Sequence, residues 1–134
     1  MSHLVNKGFS LVLAENEEAS LSDRLTITEK EVPKLMKGEV LIEVLAAPVN
    51  PSDLVYLMGK YGIPPVQGHF AGFEACGVVI DANAGMYGKW LKGKRVALFA
   101  TPGKDGTWAK YVVTKTPYCI PLRKDISDEQ RATL

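Results

Sequence analysis

The run Val40-Leu41-Ile42-Glu43-Val44-Leu45-Ala46-Ala47-Pro48-Val49-Asn50-Pro51-Ser52-Asp53-Leu54 changes periodicity halfway along. Up to Ala46 its side chains divide by twos, with Val40, Ile42 and Val44 on one side and Leu41, Glu43 and Leu45 on the other, so this half predicts a strand. At Asn50 the pattern becomes that of a helix start. Asn50 is suited to the N-cap and Pro51 to the first helical position. Asp53 stands where a carboxylate reaches back to the cap. Leu54, Leu57 and Met58 supply the apolar stripe, and Gly59 can end the helix.

Outward from this strand–helix unit, apolar residues fall in short runs broken by Gly and Pro, which reads as mainly β. Phe9–Leu13 is a candidate first strand. Leu21–Val32 alternates loosely, with Leu25 and Ile27 on one face, and a turn follows at Lys37-Gly38. Phe73–Asp81 contains Val78-Val79-Ile80, Arg95–Ala100 follows the turn Lys92-Gly93-Lys94, and Thr107–Val113 is entered from Lys104-Asp105-Gly106. Five or six short strands with long Gly/Pro connections predict a small, partly open barrel with short helices. Ser127-Asp128-Glu129-Gln130 is a capping-box pattern with two acids at the positive end of the helix dipole. It predicts a second helix, about two turns long by Leu134. A helix that short is marginal in isolation, so the expectation is that it leads into a further unit.

The 134 residues suit one domain. With 46% hydrophobic and 23% charged residues the chain can bury a core, and a net charge of +1 gives no electrostatic footprint for nucleic acid or an anionic membrane. Neither is expected as a partner. No apolar run approaches the ~20 residues that span a bilayer, and residues 1–7 do not read as a secretory signal. The two cysteines, Cys76 and Cys119, lie far apart and form no disulfide framework. A reducing compartment follows, the cytoplasm by default; a mitochondrial location would require a presequence already removed.

Five segments coincide in order and spacing with one family. Val44 to Leu54 resembles its strand and first active-site turn, and Gly59-Lys60-Tyr61-Gly62 resembles the Gly-x-Tyr-Gly that follows. Gly72-Phe73-Glu74-Ala75-Cys76-Gly77 resembles its Gly-x-Glu-x-x-Gly signature. Gly93-Lys94-Arg95-Val96 resembles a Gly-Asp-Arg-Val strand start, and Gly106-Thr107-Trp108-Ala109-Lys110-Tyr111 a Gly-Thr-Trp-Ala-Glu-Tyr strand. The resemblance is to the GroES-like first domain of medium-chain dehydrogenase/reductases, of the zinc-independent quinone oxidoreductase and 2-enoyl thioester reductase type. It implies a GroES-like catalytic domain over residues 1–126. Residues 127–134 would begin the helix leading to a nucleotide-binding domain. No glycine run here has the strand–turn–helix spacing of a dinucleotide site, so that Rossmann domain is expected to be missing from this sequence. The family's returning C-terminal segment is missing too, which would leave apolar surface exposed or paired with another chain.

The resemblance implies reduction of a small-molecule quinone, enone or enoyl thioester by NADPH in the full-length enzyme, with this chain alone neither binding the dinucleotide nor active. Tyr61 matches the tyrosine implicated in proton donation, and Asn50, Ser52 and Tyr56 are expected along the substrate and cofactor cleft. Zinc is not expected, because Asn50 and Phe73 stand where zinc-type members carry Cys and His. His69 reads as a loop histidine, Glu74 as structural, and Cys76 as a small core residue. A homo-oligomer is among the partners such a domain allows. The alternative is a stand-alone GroES-like binding or assembly module without catalysis.

Overall fold

The computed structural model describes residues 4–14, 16 and 18–123. Seven strands and two α-helices follow in order: β1 Val5–Leu11, β2 Leu25–Glu31, β3 Glu39–Ala46, α1 Pro51–Leu57, β4 Glu74–Asn83, α2 Gly85–Leu91, β5 Arg95–Phe99, β6 Tyr111–Lys115 and β7 Cys119–Pro121. The expected helix from Ser127 lies outside the described residues.

The main sheet has the order β6-β3-β4-β5-β7, and every pairing in it is antiparallel. Val40, Ile42, Val79, Val96 and Val112 meet on one face of it, closed by Leu91 from α2. The alternation expected of β3 holds only in its second half, where Val44 is half-buried and Leu45 is exposed. Leu41 is as buried as its neighbours Val40 and Ile42, because β3 is central and covered on both faces there. A bulge on β4, where Leu41 faces Asp81 but Ile42 faces Val79, is followed by one on β3, where Val44 faces Gly77 and Ala46 faces Cys76, and the second re-aims β3 before it reaches the turn at Asn50.

β1 and β2 form a separate antiparallel hairpin. Its inward face is small and polar. Asn6, Gly8 and Ser10 are buried, whereas Val5 and Phe9 point outward. Asn6 fits its side-chain amide to the main sheet like a peptide unit, donating to the Tyr111 carbonyl at 2.8 Å and accepting its N–H at 2.9 Å. Gly8 passes so close to the sheet that a Cβ would sit 2.5 Å from that of Ala109. Backbone bonds from Phe9 to Trp108, from Leu11 to His69 and from Ala71 to Phe9 complete the closure. Lys30 adds an ion pair to Asp105 at 2.7 Å. The result is the partly open, mainly β barrel that the sequence predicts.

Several boundaries differ from expectation. The first strand lies earlier than Phe9–Leu13, since three of its buried positions, Asn6, Gly8 and Ser10, carry no large apolar residue and only Leu11 at its end does. Regular strand begins at Tyr111, not Thr107, because residues 107–110 serve the hairpin and the turn before β4. α2 and β7 have no counterpart among the expected elements. α2 contains Gly85 and Gly88, which read as loop, yet Gly88 is where Ala82 and Ala84 approach within 2.9–3.0 Å of a notional Cβ.

An open, largely apolar groove of about 670 Å³ runs between hairpin and sheet, lined by Phe9, Ile27, Leu45, Val49 and Trp108 among others. Ile27 and Val49 are 58% and 66% exposed there. Among the described residues no helix is long and apolar enough to cross a membrane.

Candidate active site

The turn after β3 delivers Asn50 to the open end of the sheet, as the sequence pattern requires. Asn50 is extended at the N-cap of α1, and its backbone N–H donates to Asp53 Oδ2 at 2.8 Å. Asp53 is 1% exposed, and its other oxygen accepts the Phe73 N–H at 3.1 Å. One carboxylate thus ties the start of α1 to the residue preceding β4. Burial pushes the Asp53 carboxyl above the usual carboxylate range. The two N–H donors pull it back, and the charge of nearby Glu74 adds to the rise.

β4 places Glu74 opposite Asn50, and the Asn50 side-chain nitrogen donates to Glu74 Oε2 at 2.7 Å. A carboxylate can only accept, so this bond fixes which end of the amide faces Glu74. Glu74 is itself held by pairing with Phe99 in β5 and by Thr107, whose hydroxyl donates to the Glu74 carbonyl at 2.9 Å. The sequence reads Glu74 as structural, and in the structure its carboxylate accepts from the Asn50 amide. Only the spacing of the Gly-x-Glu-x-x-Gly run singled the residue out.

The glycines of that run are explained by contact. Gly72 has φ +99°, and a Cβ there would lie 2.4 Å from the Trp108 ring and 2.5 Å from the Thr107 hydroxyl. At Gly77 a Cβ would lie 2.2 Å from the Glu43 carbonyl oxygen of β3. Both admit a neighbouring segment where no side chain fits.

Phe73 joins the aromatic residues to this centre. Its ring lies 5.0 Å from that of Tyr56 and 5.4 Å from that of Tyr61. Tyr61 is 42% exposed, at an open mouth. Tyr56 is 6% exposed and packs with Leu11, Leu57 and Ala71 in the second core cluster. Its helix turns it inward, so the cleft position expected of Tyr56 is corrected to a core position. Burial raises its hydroxyl, partly offset by the Val66 backbone. Ser52 is half-buried on the first turn of α1. Asn50 is thus tied to Glu74, and Tyr61 packs on the ring of Phe73, the residue before it. The apolar groove begins beside Asn50, where Trp108 Nε1 donates to the Pro48 carbonyl at 3.2 Å.

The donor chemistry does not suit zinc. Phe73 offers no ligand atom, and the Asn50 nitrogen is engaged as a donor to Glu74. Among the described residues there is no group of three or more His, Cys, Asp or Glu that could hold a metal. His69 lies in the loop before Phe70, its Nδ1 buried without a hydrogen-bond partner. Among the described residues there is no pyrophosphate cradle of the dinucleotide-binding kind. That cradle is a Gly-rich strand-to-helix turn in a parallel βαβ unit, and both sheets are antiparallel.

Comparison with known proteins places these features. The alcohol dehydrogenase GroES-like domain model matches residues 36–124. The mitochondrial enoyl-[acyl-carrier-protein] reductase of Dictyostelium discoideum is 33% identical over 99 residues, which cover 69% of this chain and 28% of that protein. The corresponding Bos taurus reductase is 35% identical over 97 residues, covering 72% and 25%. A proposed NADPH:quinone reductase from Mesorhizobium loti superposes with a TM-score of 0.86 at 34% identity, over 96% of this chain and 40% of that one. The chain thus spans between a quarter and two fifths of the length of these relatives.

Proposed function

We propose a function from the premise that this chain belongs to the alcohol dehydrogenase GroES-like domain family, within the medium-chain dehydrogenase/reductases: it is the substrate-side domain of a zinc-independent, NADPH-dependent reductase of enoyl thioesters, enones or quinones. The domain comprises residues 1–126, and residues 127–134 lead toward the nucleotide-binding domain. The observation that carries the reading is an asparagine amide oriented by Glu74 at the turn that borders an apolar groove, with an exposed tyrosine, Tyr61, packed on Phe73 next to Glu74.

Reduced nicotinamide, bound by the other domain, supplies hydride. Its addition to the β-carbon of an activated alkene leaves negative charge on the carbonyl oxygen and a carbon at the α-position to be protonated. Tyr61 carries an exposed hydroxyl that can donate to that oxygen or deliver the proton. Asn50 is a neutral donor at the turn beside the groove, and Ser52 sits next to it on α1. The groove beside Val49 and Trp108 shields the apolar part of the substrate from water. Cys76 and Cys119 are both buried thiols, which suits a reducing compartment, cytoplasmic or mitochondrial.

The test is to express the chain with the coding sequence that follows Leu134 and follow NADPH oxidation with a crotonyl thioester and with a quinone. Turnover by that longer protein, absent from the 134-residue chain alone, is expected. NADPH oxidation by the 134-residue chain alone, or a stop codon directly after Leu134 in the gene, would overturn the reading; the second would favour a stand-alone module.

A further inference from the structure

We propose that Glu74 is a positioning residue: it locks the side-chain amide of Asn50 so that the second N–H of that amide is presented at the rim as a donor to the carbonyl oxygen of the ligand. The inference rests on the reductase reading above.

Three observations carry it. First, the Asn50 nitrogen has a single acceptor among the described residues, Glu74 Oε2 at 2.7 Å. An amide nitrogen has two hydrogens, so one remains available. Asn50 is half-buried at an open rim. Second, an asparagine amide is ambiguous by itself, since a half-turn about its last bond exchanges oxygen for nitrogen. Two partners remove the ambiguity from opposite ends: the Asp53 backbone N–H, which can only donate, faces the amide oxygen in the capping box, and the Glu74 carboxylate, which can only accept, takes the amide nitrogen and sets the direction of its N–H groups. A hydrogen bond to a charged acceptor is also shorter and stronger than a neutral one, and it polarises the amide further. Third, both ends of the pair are anchored. The Asn50 backbone N–H is held by Asp53 at 2.8 Å. Glu74 stands at the first position of β4, fixed by Phe99 across the ladder and by the buried Thr107 hydroxyl at 2.9 Å. The carboxylate therefore works from a rigid strand, and the donor direction is set before any ligand arrives.

The chemistry of the ligand follows. A neutral N–H donor backed by a carboxylate repels a ligand carboxylate and accepts no proton. It suits a neutral carbonyl, such as that of a thioester, an enone or a quinone, whose oxygen gains negative charge during reduction. Simple packing would not need a charge here. Glutamine in place of glutamate could still accept from Asn50 through its carbonyl, whereas alanine could not.

The experiment uses the 134-residue chain labelled with ¹⁵N and reads the side-chain NH₂ resonances of Asn50 by NMR, in the wild type and in Glu74→Ala and Glu74→Gln. Without ligand, one Asn50 proton is expected downfield of the other side-chain amides and slow to exchange, a signature lost in Glu74→Ala and kept in Glu74→Gln. The backbone amides of α1, read in the same spectra, report whether each variant is folded. Crotonyl N-acetylcysteamine thioester is then titrated in. It should shift the Asn50 protons in the wild type and bind about tenfold more weakly to Glu74→Ala, with Glu74→Gln within about threefold of wild type. If the thioester shifts Asn50 equally in wild type and Glu74→Ala, the positioning role is wrong and the reductase reading stands. If the locked amide is seen but the thioester never perturbs it, the donor role falls together with the reductase reading. If Glu74→Ala does not fold, the wild-type and Glu74→Gln spectra decide, because an unshifted Asn50 amide in both already overturns the lock.

Discussion

Replacing Gly77 by alanine should destabilise the protein by about 1–4 kcal/mol. The added Cβ would lie 2.2 Å from the Glu43 carbonyl oxygen and 2.6 Å from Ile42 Cγ2. Comfortable contact needs roughly 3.5 Å, so β3 and β4 would have to part locally by about 1 Å. Neither neighbour is the free end of a flexible chain. One is backbone in the centre of the sheet, and the other belongs to a residue that is 0% exposed. Overpacking of this kind costs about 1–3 kcal/mol, and a lengthened ladder bond adds about 1 kcal/mol. Reduced freedom of the unfolded chain returns about 0.4–1 kcal/mol. For a domain of this size the sum corresponds to a fall in Tm of roughly 10 °C. Chemical and thermal unfolding followed by circular dichroism would measure it. Gly62→Ala is the matched control. Nothing lies within 4 Å of its Cβ position and its backbone is not left-handed, so its effect should stay within about 0.5 kcal/mol. If the two variants proved equally stable, the claim that Gly77 exists to admit β3 would be refuted.

Further outcomes follow from other sites. Asp53→Asn keeps one acceptor but turns an NH₂ group toward a second N–H. It should cost about 1–3 kcal/mol in urea unfolding, and the loss should appear as fraying of α1 in amide exchange. The Asp53 carboxyl is raised above its ordinary value in the folded chain, so between the unfolded and folded values the native state binds more protons. Its contribution to stability is therefore fullest at pH below its unfolded value and is lost as pH rises through the folded one. Wild type minus Asp53→Asn, followed from acid toward neutral pH, should decline across that window; a rise would contradict the assignment of burial as the main cause. Burial pushes the Cys119 thiol up to about 12, so iodoacetamide at pH 8 should leave it unmodified in the native chain and alkylate it in urea, as mass spectrometry would report. In the full-length reductase, Tyr61→Phe should lower kcat by about 10²- to 10⁴-fold with stability within about 0.5 kcal/mol of wild type; retained kcat would assign the proton step elsewhere.

The strand–turn–helix unit from Val40 to Leu57 was legible because each of its signals acts locally. Alternation, the N-cap, proline at the first helical position and the reaching aspartate all depend on residues within one or two turns of each other. Tyr61 was singled out by its place in an ordered set of motifs, and the structure leaves it 42% exposed. What was not legible depended on close approach between distant segments. The hairpin buries Asn6, Gly8 and Ser10 and exposes Val5 and Phe9, the reverse of the usual pattern, because Gly8 must pass Ala109 and Asn6 must bond to Tyr111. An apolar run therefore pointed to the wrong end of β1. α2 was hidden by its two glycines, of which Gly88 lets it lie on Ala82 and Ala84. Tyr56 was expected along the cleft, and its packing in the second core cluster depends on the direction α1 takes, which no local pattern encodes.

The Gly72–Gly77 run shows why a spacing can be recognised long before its purpose is. Three of its residues meet three different partners: Gly72 admits the Trp108 ring, Glu74 holds the Asn50 amide, and Gly77 admits the β3 backbone. Alternate residues of a strand face opposite sides, so Glu74 and Gly77, three apart, serve different faces of β4. Their consequences should separate. A change at Gly77 acts on the sheet that carries the rim and moves stability first. A change at Glu74 acts on a single amide at the rim and moves ligand recognition first. Their effects need not add simply, because parting β3 from β4 would also displace the turn that carries Asn50. The double variant Gly77→Ala/Glu74→Gln is therefore the sharper probe of the junction. If the sheet sets the position of Asn50, Gly77→Ala alone should weaken thioester binding, and the added Glu74→Gln should then cost more than it does in an intact sheet.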